Sequence, residues 1–163
     1  MALRLRGDAD LAGLIKVFES IGEPSARQQL AMKMGSEALR LIRNSIDTST
    51  DCYGNTMPPR VDDGAAPLQG LRNSFSATFT SDGVKIGTSK WYAKVHNAGW
   101  KIYPKTQPAL RFRLPSGKWV SAHRVTIPKR QMVPMQSTGG LGPVWGPALK
   151  TVAANFFRDY LRR

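Results

Sequence analysis

Between Leu68 and Gly99 the chain carries a succession of local signals that leaves little freedom in how it folds. Phe75, Ala77 and Phe79 alternate with Ser74, Ser76, Thr78 and Thr80, the period-two pattern of a strand buried on one face. Ser81-Asp82-Gly83 follows, a tight-turn signal because Gly, and less readily Asp, takes up positive φ. Val84 and Ile86 resume the alternation and Gly87-Thr88-Ser89 ends it. Tyr92, Val95 and His96 then recur at helical spacing until Asn97-Ala98-Gly99 stops them. The stretch predicts a hairpin, a short helix and a sharp exit.

Helices bracket this unit. Asp8 or Asp10 caps a segment whose Leu11, Leu14, Ile15 and Phe18 keep i, i+3, i+4, i+7 spacing. Pro24 suits the first turn of a second helix, in which Leu30, Met34, Ala38, Leu41 and Ile42 form one stripe and Arg27, Lys33, Glu37, Arg40 and Arg43 lie largely outside it. Residues 47–67 show neither period and read as a long loop. Leu110-Arg111-Phe112-Arg113-Leu114 alternates strictly, and Pro115-Ser116-Gly117-Lys118 turns it back into Trp119-Val120-Ser121-Ala122. This is a second hairpin, a basic arm over 101–123. Val125-Thr126-Ile127 is a short strand ended by Pro128. Residues 131–143 read as a Gly, Ser and Pro linker. A last helix over 147–162 has Leu149, Val152, Ala153, Phe156, Phe157, Tyr160 and Leu161 on one face, with Arg158, Arg162 and Arg163 at its dipole-negative end. Residues 1–163 are thus expected to form a single α+β domain. Two N-terminal helices and one C-terminal helix pack on a small, mostly antiparallel sheet from which the basic hairpin projects.

Charge is distributed unevenly. The net charge is +13, yet residues 1–84 hold nine Lys/Arg against ten Asp/Glu, whereas residues 85–163 hold fifteen against Asp159 alone. Such one-sided charge calls for an anionic neighbour, either nucleic acid or acidic protein. The basic side chains set to face it are Lys101, Lys105, Arg111, Arg113, Lys118, Lys129 and Arg130. Trp91, Tyr92, Trp100, Tyr103, Phe112 and Trp119 interleave with them, as in a platform for stacking single-stranded bases. Several of these aromatics fall on the apolar side of strands, however, and are expected in the core.

Other chemistry finds little support. Cys52 is the sole cysteine and has no disulfide partner in the chain. Asp51, Asp62 and Asp63 lack the spacing and the histidine of a metal site. His96 and His123 stand without a neighbouring acid or nucleophile motif. Neither an enzyme nor a bound cofactor is expected. No apolar run reaches the length of a membrane span, and the charged N-terminus lacks the apolar stretch of a signal peptide, so action in the cytoplasm is expected.

The order of short motifs resembles the phage virion-morphogenesis proteins, the tail-completion and neck family of Mu-like tailed phages. That pattern begins G-x-L-R-x-S, continues through a strand pair ending V-x-V-G-T/S, and reaches Y-A-x-x-H-x-x-G. The chain supplies Gly70, Leu71, Arg72 and Ser74, then Val84, Ile86, Gly87 and Thr88, then Tyr92, Ala93, His96 and Gly99. A G-x-x-W-x-P loop upstream reads Gly54-Asn55-Thr56-Met57-Pro58-Pro59, with Met for Trp. The downstream I-P-A-R-P-F reads Ile127-Pro128-Lys129-Arg130-Gln131-Met132. The resemblance implies a structural protein, made in the host cytoplasm and built into the virion without a membrane. It implies a homo-oligomeric ring at the head-proximal end of the tail, with a hexamer favoured over a dodecamer and the dodecamer left open. Its implied partners are the tail tube protein, the head-completion or connector protein and, without sequence specificity, the packaged DNA. It also implies that the 47–67 loop orders against a neighbouring subunit and that His96 holds a turn. The alternative left open is a stand-alone module for single- or double-stranded nucleic acid.

Overall fold

The computed structural model describes residues 24–60, 64–80, 83–114, 116–135 and 140–160. The helix expected over Leu11 to Phe18 lies outside them. Pro24, which has no N–H to leave unpaired, opens helix α1, Pro24–Asp47. Of the stripe read from sequence, Leu30, Ala38, Leu41 and Ile42 are buried and Met34 is half-buried, and buried Ala26 and Ile46 extend it at either end. Ile42 and Ile46 are wholly inaccessible, and burial of that kind contributes about 1.5–3 kcal/mol per side chain.

Strands β1, Phe75–Thr80, and β2, Gly83–Thr88, form the first hairpin in the register Phe75↔Thr88 to Thr80↔Gly83. The ribbon lies directly on α1, and Gly35 is the reason it can. A Cβ at Gly35 would stand 2.9 Å from Val84 Cγ2 and 3.3 Å from both Ala77 and Phe79. The short helix α2, Tyr92–Ala98, follows and ends at Gly99, whose φ of 73° suits glycine.

Strands β3, Trp100–Ile102, and β6, Val125–Ile127, pair with one another, and between them β4, Leu110–Arg113, pairs with β5, Trp119–Ala122. Among the described residues the fold is α+β, as expected, but the six strands make three separate two-stranded antiparallel ladders rather than one small sheet.

Helix α3, Gly142–Tyr160, begins five residues earlier than its sequence pattern suggested. Pro143 fits its first turn, and wholly buried Trp145 holds the turn before Pro147, where Pro147 lacks an N–H to donate. Two apolar clusters result. Leu30 and Ala26 meet Ala153, Phe156 and Phe157 at one end of α1. At the other, Leu41, Ile42 and Ile46 meet Trp145, Leu149, Leu71, Ile86 and Met132, with half-buried Met34 touching both clusters.

Two segments that read as irregular are parts of this core. In the loop after α1, the Asp51 carboxylate accepts the N–H groups of Tyr53 (2.9 Å) and Asn55 (2.8 Å), an Asx-type turn that drives Cys52 and Met57 inward. Burial, with Asp51 adding to it, pushes the Cys52 thiol up to about 12. The described part of this loop makes these contacts within its own chain. The expected linker likewise begins with buried Gln131, Met132 and Val133.

A Leu at position 35 must displace the ribbon, so Gly35→Leu is expected to cost about 1–3 kcal/mol in urea unfolding. Gly35→Ala should lie nearer neutrality, because a helix gain of about 1 kcal/mol opposes a smaller clash. Unchanged stability in Gly35→Leu would show that the hairpin does not rest on α1.

Candidate functional site

Residues 100–127 hold two of the three ladders. The outgoing β3 and β4 pair in order with the returning β6 and β5, so the two ladders are nested along one arm. Residues 103–109 bulge from the outgoing side opposite only His123 and Arg124. His123 Nδ1 donates to Pro108 O at 3.0 Å and ties the bulge across. From Ala98 to Lys129 no described residue is buried, and no helix packs extensively on either ladder. An isolated two-stranded ribbon is marginal in water. This one carries its own apolar side, half-buried Leu110, Phe112, Val120 and Ala122, and shows Arg111, Arg113, Trp119 and Ser121 on the other. The Arg111 guanidinium lies over the Trp119 ring at 5.3 Å, the diagonal neighbour relation of an antiparallel pair.

The aromatics expected in the core are largely outside it. Trp91 is 79% exposed, Trp100 53%, Tyr103 55% and Trp119 58%, while Tyr92 and Phe112 are partly covered. Trp100 and Phe112 do lie on the apolar sides of their ribbons, but Trp119 is on the side of Arg111 and Arg113, and Trp91, Tyr92 and Tyr103 are outside the ladders.

The arm is held at its base. Arg130 donates through Nε to Pro58 O and through a terminal nitrogen to Pro59 O, both at 2.7 Å, and its other terminal nitrogen lies 3.3 Å from His96 Nδ1. A guanidinium only donates, so Nδ1 accepts and neutral His96 carries its proton on Nε2. The Arg130 backbone N–H also donates to His96 O at 2.8 Å. Beside it, the Asn97 amide donates to Val133 O (3.1 Å) and accepts the Val133 N–H (2.9 Å), and Cys52 N–H donates to Gln131 O (2.8 Å). Three distant segments meet here: the loop after α1, helix α2 and residues 130–133. Gly99 permits the approach, because a Cβ there would sit 3.1 Å from Lys129 N.

Of the basic residues singled out, Lys101, Lys105, Arg111, Arg113, Lys118 and Lys129 are exposed. Arg130 is not: it is 5% exposed, and its charge is spent on carbonyls and an imidazole inside the protein. Its assignment to a partner-facing surface is therefore corrected. Burial pulls its guanidinium below its ordinary pKa. Burial first, and the Arg130 charge second, hold His96 below its ordinary value too.

The remaining motif residues are structural. Leu71 is fully buried, and Arg72 forks onto Asp47 at 2.6 and 2.9 Å, which holds that carboxyl below its ordinary range. Ser74 Oγ donates to Leu71 O and accepts from Thr88 Oγ1 (3.0 Å). Ala93 is buried, Tyr92 stands edge-on to His96, and Gly70 lies below the Tyr92 hydroxyl. Gly87 has open space where a Cβ would be, so no close approach requires glycine there. Asn97 was missed, although its place between His96 and Gly99 marked it as a helix-end residue. No group of three His, Cys, Asp or Glu that could hold a metal occurs among the described residues.

The pattern that describes the phage virion morphogenesis family matches residues 11–141, most of the chain. The chain belongs to that family. As a virion morphogenesis protein it serves phage particle assembly. The match takes in the clamp and the whole arm and stops where α3 begins. No curated protein and no solved structure matches the chain. No helix among the described residues is long and apolar enough to cross a membrane.

Protonation of His96 would set two cations 3.3 Å apart, so the folded state binds that proton less readily than the unfolded chain. The stability this gives is present above the ordinary histidine value of about 6.5 and is lost as pH falls toward the lowered one. The urea midpoint is expected to drop between about pH 7 and 5, and His96→Asn should flatten that dependence. Arg130→Lys, whose ammonium cannot span both carbonyls and the ring, should cost about 1–3 kcal/mol at pH 7.

Proposed function

We propose that this chain is a virion structural protein that forms a closed ring at the head-proximal end of the tail. The ring ends the tail tube and joins the tail to the head or its connector protein. The observation that carries the reading, beside family membership, is an arm with no buried residue among those described, which exposes Trp100, Tyr103 and Trp119, with Trp91 exposed ahead of it. Four large aromatics exposed over residues 91–119 suit a surface that a partner covers. A ring repeats one heterologous interface until it closes, so the arm of each copy has the body of the next to lie on. Sixfold symmetry is the simplest match to a tail tube. The chemistry is binding and geometry, not catalysis.

A free-standing nucleic-acid-binding module is the second reading, and exposed Trp100, Tyr103 and Trp119 among cations favour it. The mass of the purified protein, alone and with tail tubes, separates the two. Rings or tube-bound oligomers are expected. A stable monomer that ignores tubes yet binds oligonucleotides would overturn the ring. Replacing Trp91 and Trp100 together by Ser should change unfolding stability by no more than about 0.5 kcal/mol. Loss of one aromatic anchor at a subunit contact costs about 2 kcal/mol or more, so infectious particle yield should fall at least about tenfold.

A further inference from the structure

We infer that the outer face of the β4–β5 ribbon is a sequence-independent contact for the phosphate backbone of nucleic acid. Arg111 and Arg113 face Ser121 and Trp119 across the ladder, so the pleat puts both guanidiniums on one exposed side. Each is held by its own ribbon. Arg111 stacks over Trp119 at 5.3 Å, and Arg113 Nε donates to Gly117 O at 3.0 Å, spending one of five donors. Two like charges on neighbouring same-face positions repel one another unless water or an anion lies between them.

The chain's own described acids are engaged elsewhere or lie on other elements. Glu37 pairs with Arg40 and Asp47 with Arg72, Asp51 is occupied by the N–H groups of Tyr53 and Asn55, and exposed Asp159 lies near the end of α3, which does not pack extensively on the ribbon. No acid lies between Asp82 and Asp159, so Lys101, Lys105, Arg111, Arg113, Lys118 and Arg124 form an arm of one sign. Protein surfaces mix the two signs, whereas duplex DNA carries a charge about every 1.7 Å of its axis. An uninterrupted cationic ribbon therefore suits nucleic acid better than an acidic protein face. The ribbon's exposed side offers guanidiniums and an indole already covered by one of them, and no Asn or Gln to read base edges, so the contact is to phosphate.

The inference does not depend on ring closure. It is read on the purified full chain in solution, whereas the ring stands or falls on mass and particle assembly. The test titrates wild type and Arg111→Gln/Arg113→Gln with a short mixed-sequence duplex and with its single strand, between about 50 and 200 mM salt. Loss of two phosphate contacts should lower the salt slope by about 1.8 on duplex or about 1.4 on single strand, and a fall of that size on one form with none on the other names the form bound. Arg111→Lys/Arg113→Lys should restore the slope. Lys33→Gln/Arg43→Gln removes equal charge from α1 and should leave it unchanged. No binding by folded wild type, an unchanged slope in the arm variant, or an equal fall in the α1 variant would overturn the proposal. Polyglutamate bound as tightly as DNA would overturn it in favour of an acidic protein partner.

Discussion

A guanidinium buried without a carboxylate organises this molecule. Arg130 is covered by the protein, and desolvating a cation is expensive unless its donors are met. They are met by the carbonyls of Pro58 and Pro59 and by the ring of His96. Consecutive prolines suit the role, since they have no N–H with which to enter a ladder and still offer both oxygens. The cost of leaving any of these groups unpaired locks together a loop, a helix end and a returning strand that are far apart in sequence. Asn97 and Cys52 extend the same lock to Val133 and Gln131.

The arm follows from that lock. Gly99 and Lys129 are its two feet, brought within contact distance where the clamp closes, and no described residue between them is buried. Stability and function are thereby divided. Residues 24–98 and 130–160 hold the α1, α3 and β1–β2 packing, while 100–127 present aromatics and cations outward. A segment that stabilises its own fold so little is free to be shaped by what it meets, which agrees with a protein of virion assembly.

Much of this was legible in the sequence, and the parts that were not share a cause. Local period fixes local structure, so most of the α1 stripe, the β1–β2 hairpin, the pairing of β4 with β5 and the α2 exit at Gly99 are where the residues indicated. The pleat likewise placed Arg111 and Arg113 on one exposed face. What lay hidden depends on residues that meet from afar. A charged Arg130 reads as a surface group, because its acceptors are backbone carbonyls about seventy residues upstream and backbone oxygens leave no mark in side-chain types. Met132 and Val133, set among Gln, Pro and Ser, read as linker, yet Asn97 draws them inward. Aromatics on the apolar side of a strand, such as Trp100, read as core because apolar residues usually find a cover, and Trp100 is left 53% exposed here. The expected single sheet became three ladders because β3 to β6 pair only within the arm.

Amide hydrogen exchange on the isolated protein tests the central claim most directly. A clamp that fixes the feet of a coreless arm predicts slow exchange at the Cys52, Arg130 and Val133 amides. Exchange should be at least about a hundredfold faster through the β3–β6 and β4–β5 ladders, since the latter open without unfolding the body. Equal protection in arm and clamp would contradict the account, as would faster exchange at Arg130 than at Phe112.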